Sequence, residues 1–258
     1  SPEQLMERKI QQSLFPDTTY GYESGGDPEN IPDLTYEQYL DFHKKYYHPS
    51  NSYIYLYGDM DMAEKLKWID EKYLSHFDYL EVDSEVKRQK AFDAPKDMKV
   101  YYSLTEGESE EDKTYFSYNA VTGTSLDRDL YIAFQVLNYV LVQGVGAPVK
   151  QALLDAGIGS EIISFFEESI CQPVFSIIAK NVAGDKKEQF VAVIREKLEE
   201  LVEQGINRDS LNAGLNSLEF RYREADFGSY PKGLMYGLQI FDSWLYDSDK
   251  PFIHIRAN

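Results

Sequence analysis

From Lys99 onward the chain runs twice through one order of patterns, two stretches with a period of two residues followed by two with a helical period. A period of two sends alternate side chains to opposite faces of a sheet, and a period near 3.6 lays an apolar stripe along a helix. Lys99–Leu104 and Tyr115–Val121 read as strands, separated by the acidic turn Glu106–Lys113. A long helix is expected from about Leu126 to Gln143, capped by Thr124 or Ser125 and broken by Gly144-Val145-Gly146-Ala147-Pro148. A shorter helix, Pro148–Ala156, ends at Gly157. Ser160–Glu167 and Pro173–Asn181 read as a strand pair, followed by helices over Lys186–Gln204 and from Arg208 to about Ala225. Tyr230–Tyr246 is aromatic and helical in pattern. This order predicts an α+β fold, with helices packed on one face of a mostly antiparallel sheet.

The first 78 residues follow a different plan. Ser1 and Pro2 start a helix over Pro2–Phe15, and Pro16 stops it. Asp17–Asp33 is irregular and contains Ser24-Gly25-Gly26-Asp27-Pro28, a turn signal. Thr35 and Gln38 form a capping box for a second helix that ends at Pro49. Tyr53–Tyr57 alternates like a short strand, and a third helix begins at Met60 or Asp61 with Leu66, Ile69, Tyr73 and Phe77 as its stripe. A lone strand leaves both its edges unpaired, so this part reads as half of a unit. Residues 79–97 are charged, aperiodic and carry Pro95, which marks a linker.

Composition excludes several classes. Of the 258 residues 43% are hydrophobic, which is globular, and the net charge of −18 argues against nucleic acid as a partner. The same charge attracts basic peptides at long range. No run of about 18 apolar residues stands out, so no membrane helix is expected. The opening SPEQLMERK does not read as a signal peptide. Cys171 is the single cysteine, lies in an apolar stretch and reads as a buried small hydrophobe. One cysteine and no recognisable signal sequence fit a reducing compartment, and a cytoplasmic setting is the expectation.

No chemical motif stands out. The four histidines are His43, His48, His76 and His254, and neither His-Glu-x-x-His nor His-x-x-Glu-His occurs. A zinc pair on one helix needs i, i+4 spacing, whereas His43 and His48 are five apart with Pro49 directly after. Gly21–Gly26 and Gly144-x-Gly146 do not follow strands, so neither forms a phosphate loop. The adjacent carboxylates Glu167-Glu168 and Glu199-Glu200 read as solvated surface.

The most specific stretch is Ser24–Asp61, SGGDPENIPDLTYEQYLDFHKKYYHPSNSYIYLYGDMD. Its order is Gly-Gly-Asp-Pro, Ile-Pro-x-Leu-Thr, Phe-His, Tyr-Tyr-His-Pro-Ser-Asn and Gly-Asp. It resembles the presequence-protease branch of the insulinase/pitrilysin zinc metallopeptidases. Leu14–Tyr20 and Pro148–Gly159 add to the likeness. The resemblance implies insulinase-like metallopeptidase domains, four of which enclose a peptide. In that family the first domain holds zinc through His-x-x-Glu-His and a distal glutamate, residues this chain lacks.

The resemblance therefore implies an internal fragment. Residues 1–78 correspond to the C-terminal part of the first, catalytic domain, 79–97 to a linker, and 98–258 to a second, non-catalytic domain incomplete at its C-terminus. The parent is expected to be a zinc-dependent endopeptidase that degrades unstructured, basic peptides. The chain supplies scaffold and cleft wall, has the remaining domains of the same polypeptide as partners, and carries no catalytic residue or zinc of its own. The alternative is a non-catalytic peptide-binding or assembly subunit. Tyr20, Ser24, Gly25 and Gly26 are the substrate-binding candidates, because a glycine-rich loop lets a peptide backbone approach closely.

Overall fold

A computed structural model describes residues 1–224, 228–247 and 249–255. Its centre is a three-stranded antiparallel sheet of β1 (Thr114–Val121), β2 (Glu161–Glu167) and β3 (Val174–Val182), in the order β1-β3-β2. β3 is buried along nearly its whole length. In the register, Phe116, Tyr118, Ile162, Ser164 and Phe166 share a face with Phe175, Ile177 and Ala179. That face meets α5 (Pro148–Asp155) and α6 (Lys187–Gln204) in the main core, where Val149, Leu153, Phe190 and Ile194 are fully enclosed. Fully burying such a side chain contributes roughly 1.5–3 kcal/mol.

The opposite face carries α1 (Pro2–Leu14), which has the capping box of Ser1 and Gln4 at its start. Phe15, just past its end, packs with Ile170 and Val174, and Glu3 approaches Lys180 of β3 at 3.9 Å. The expected one-sided helical layer of α5 and α6 is therefore joined by a single helix on the other side.

The stretch expected as one helix over Leu126–Gln143 divides in two. α4 (Arg128–Asn138) is capped by Asp127, and the π turn Tyr139–Gln143 follows it. Gly144 N–H donates to the Tyr139 carbonyl at 2.7 Å, five residues back. The wider turn lets Val140, Leu141 and Val142 all be buried, Val140 against α7 (Arg208–Glu224) and the other two in the main core. The end expected for that helix, Ala225, lies outside the described residues. By length and composition alone Arg128–Asp155 is apolar enough to cross a membrane, with a mean hydropathy of 1.4 over its best window, contrary to the expectation that no such stretch exists. Here it is broken at Gly144–Ala147 and feeds the main core.

The first region contrasts with this. α2 (Tyr36–Tyr46) forms where the cap Thr35 predicts, and α3 (Met62–Lys72) starts just after the expected Met60 or Asp61, with Asp61 as its cap, yet neither contains a buried residue. Tyr53–Tyr57 has no regular structure and belongs to no sheet, and neither does Lys99–Leu104. Both expected strands fail for one reason, since a strand needs a neighbour to take its N–H and C=O groups. Tyr102 is held instead through its side chain, donating to the Lys113 carbonyl and meeting the Tyr115 ring edge-on.

Tyr53–Tyr57 finds a helix rather than a strand. The Tyr53 ring lies 4.5 Å from that of Trp244 on α8 (Lys232–Trp244), and Tyr55 meets Phe241 edge-on at 6.3 Å. Two glycines one helical turn apart open the path. A Cβ on Gly233 would stand 1.9 Å from the Tyr57 ring, and one on Gly237 2.7 Å from Tyr55. Residues 79–97 have no regular structure, but Gln89 is buried. Its amide bonds Asp17, and its backbone N–H donates to Gln172 at 2.6 Å, so the segment is tied down at its middle.

Candidate functional site

Ser24, Gly25 and Gly26 come together in one exposed turn, and Tyr20 turns away from them. Arg8 of α1 reaches Glu23 at 3.3 Å and Asp27 at 4.0 Å, which fixes both ends of the turn. Gly26 has φ +83°, a conformation that favours glycine. A Cβ on Gly25 would meet nothing, so its surroundings are open. The turn that redirects Tyr20 rests on Gly21, where a Cβ would lie 2.4 Å from the Phe15 carbonyl oxygen.

Tyr20 instead joins the small core under α1. Its ring lies 5.7 Å from Phe15, and its hydroxyl shares a 2.6 Å hydrogen bond with Tyr246 and accepts from Cys171 N–H at 3.2 Å. Burial pushes both phenols above their ordinary range. Cys171 is a free, buried cysteine whose thiol burial also raises.

A polar cluster that sequence reasoning missed lies between β2, α4 and α8. The Tyr131 hydroxyl donates to Asp242 at 3.2 Å, and Gln135 Nε2 donates to Glu168 at 2.5 Å. Tyr222 donates to the other end of Gln135 at 3.4 Å. Burial pushes the Glu168 carboxyl up to about 7 and the Asp242 carboxyl to about 6. Glu168 was expected on the solvated surface, but the alternation of β2 already places it. Ile162, Ser164 and Phe166 point to the core, so residue 168 does too, and Glu167 turns the other way.

The histidines stand apart. His43 stacks on Tyr47 at 4.8 Å, and His48 accepts from Ser50 N–H while its ring meets Phe77 edge-on. His76 contacts the Tyr73 carbonyl. His254 is buried against the Tyr131 ring at 3.9 Å, and burial lowers it to about 4. Among the described residues no three His, Cys, Asp or Glu side chains are grouped to hold a metal ion. The described residues therefore offer no set of three protein ligands of the kind a catalytic zinc needs around its open position.

The described residues place helices on both faces of a three-stranded antiparallel sheet, and the sequence of this unit matches the M16 peptidases. The chain belongs to that family, because residues 33–218 match the family described as the M16 peptidase inactive domain. It is 47% identical over 256 residues to Protein HypA of Clostridium perfringens, covering 99% of this chain and 26% of that protein. It is 34% identical over 255 residues to presequence protease 1 of Arabidopsis thaliana, covering 97% of this chain and 23% of that protein. The chain thus spans about a quarter of the length of these curated relatives. Two solved structures share the fold. An M16 peptidase inactive domain from Pseudomonas fluorescens superposes with a TM-score of 0.64 at 16% identity, over 95% of this chain and 55% of that one. A protease from Helicobacter pylori gives 0.59 at 17% identity, over all of this chain and 66% of that one.

Proposed function

We propose that this chain is the non-catalytic scaffold of a larger zinc-dependent endopeptidase that degrades unstructured peptides. The observation that carries this reading is the likeness to presequence protease 1 over 97% of the chain, combined with the match of residues 33–218 to the M16 peptidase inactive domain. In this reading the ligands and the general base come from elsewhere in the polypeptide. Residues 1–78 complete a first domain whose other strands lie outside this chain, 79–97 link, and 98–258 belong to a second, homologous domain. The exposed rings of α2 and the 53–57 segment support this division, since side chains such as Tyr36 and Phe42 have no cover here.

The net charge of −18 favours basic peptides as substrate. The exposed Ser24–Gly26 turn, with no side chain to hinder a backbone at Gly25, is the part of the cleft wall this chain contributes. Tyr20, the fourth candidate, is held apart from the turn by its bonds to Tyr246 and Cys171. The single cysteine, buried and unpaired, suits a reducing compartment such as the cytoplasm.

The test is the full polypeptide that carries this chain, assayed for bound zinc and for cleavage of a basic, unstructured peptide. Stoichiometric zinc with chelator-sensitive cleavage is expected. Peptide binding without zinc or cleavage overturns the catalytic part and leaves a non-catalytic binding or assembly subunit.

A further inference from the structure

A cavity of about 110 Å³ lies between the π turn, α7 and the end of β2. Its polar lining comes from Gln135, Asn138, Gln143, Glu168, Ser217 and Arg221, and Tyr139, Phe166 and Leu218 supply apolar wall. Room for one water needs only about 10–15 Å³, so the space admits a molecule of several heavy atoms. It is separate from the Ser24–Gly26 turn and does not depend on the peptidase reading.

We propose that this cavity binds a free, small α-amino acid, with its ammonium group on Glu168 and its carboxylate on Arg221. The charges point to a zwitterion. Glu168 is half-buried and Arg221 is exposed at the rim. Among the described residues no hydrogen bond or ion pair within 4.0 Å holds Arg221, although its charge acts on Glu168 and Tyr222 and it lines the same cavity as Glu168. Glu168 takes a single hydrogen bond, from Gln135 to Oε2, which leaves Oε1 open. A lone cation here would be repelled by Arg221, and a lone anion by Glu168. A molecule with both charges satisfies both, and an Arg–carboxylate contact is among the stronger charge-assisted pairs.

The amides around the space are oriented in advance. Asn138 Oδ1 accepts from the Ser164 hydroxyl at 2.6 Å, so its Nδ2 remains a donor. Gln143 Nε2 donates to the Ser164 carbonyl at 3.3 Å, so its Oε1 remains an acceptor. These leave one donor for a carboxylate and one acceptor for an ammonium. The π turn makes this possible, because its extra residue carries Gln143 round onto the face of Gln135 and Asn138, and single π turns are frequent at functional sites. Gly214 keeps the wall close: a Cβ there would meet Val136, Tyr139 and Val140 at 3.2–3.3 Å and push α7 away.

Burial holds Glu168 near 7, with Asp242 and Glu167 adding to the rise and Gln135 and Arg221 opposing it. Tyr131 and Tyr222 complete its titratable surroundings. Only the carboxylate pairs with an ammonium, so binding takes up the anionic form and weakens as pH falls below about 7.

The experiment is calorimetric titration of the purified protein at pH 8 with glycine and L-alanine. Ethylamine and propionate serve as single-charge controls. One saturable site for glycine or L-alanine is expected, at least tenfold tighter than either control, lost in Glu168→Gln and in Arg221→Gln, and weaker by about tenfold per pH unit well below 7. Arg221 is exposed, so Arg221→Gln leaves the fold intact and separates a lost site from lost structure. No binding of either amino acid by protein that melts cooperatively, or ethylamine binding that equals L-alanine and survives Arg221→Gln, overturns the proposal.

Discussion

Residues 19–88 and residues 114–218 obey the same local rules with opposite results. Both contain capped helices and alternating apolar stretches. In the second region these faces meet a sheet, and Val149, Leu153, Ile158 and Ile194 are each 0% exposed. In the first, no residue from 19 to 88 is buried, and rings such as Tyr36 at 70% and Trp68 at 60% face solvent. Caps and periodicity set helices locally, but most helical stability comes from packing an apolar face against something. The second region contains its own partner surface. The first does not, and it is anchored through Tyr20 and through the row Tyr53, Tyr55 and Tyr57 lying along α8.

The sharpest contrast comes from truncating one side chain in each region. Ile177→Ala, at the centre of β3, is expected to cost about 2–5 kcal/mol in chemical denaturation, because it opens a cavity in the main core. A cost under about 1 kcal/mol would break the comparison by showing that the main core is not what holds the fold.

The polar cluster sharpens it through pH. Glu168 and Asp242 are acids whose folded values lie above their ordinary ones, so the folded state holds protons that the unfolded chain has released. The Asp242 contribution is fullest below its ordinary value of 3.8 and falls until pH reaches about 6, and that of Glu168 is fullest below 4.5 and falls until about 7, by at most about 3 kcal/mol for Glu168. The melting temperature of Glu168→Gln should accordingly fall less than that of the parent between pH 5 and 8. Parallel curves would show that this carboxyl is as solvated as its neighbour Glu167.

Smaller effects follow where the first region touches the second. Tyr20→Phe removes the Tyr246 partner and leaves the Cys171 N–H without an acceptor, at a cost of about 1–2 kcal/mol by thermal melting. Leu40→Ala, on the exposed face of α2, should change stability by less than about 0.5 kcal/mol in this chain. In the full polypeptide the same substitution should cost more, since our account gives that face a cover there.

Most of the second region was legible because each signal had a local cause. Gly157 and Gly205 end helices where they were expected to, and β2 and β3 fall within a residue or so of their alternation. What was not legible depended on partners distant in sequence. Tyr53–Tyr57 alternates as a strand does, but the groove made by Gly233 and Gly237 receives it, and nothing in residues 53–57 announces that groove. Lys99–Leu104 has the pattern without a ladder. The π turn followed from three consecutive apolar residues having burial on two sides, which a helical period cannot express. At the site, the open turn at Ser24–Gly26 was legible from its glycines, and the direction of Tyr20 was not, because it depends on Gly21 closing against Phe15. Glu168 was misplaced by reading Glu167-Glu168 as a pair instead of extending the period of β2.

The central claim is that the second region carries its own core and the first does not. Native-state hydrogen exchange on this chain tests it most directly, because amides open with the stability of the unit they belong to. Our account predicts slow exchange in β1, β3, α5 and α6, and fast, weakly protected exchange throughout α2 and α3. Protection of α2 and α3 equal to that of β3 would contradict it, and would mean that the first region is stabilised from within.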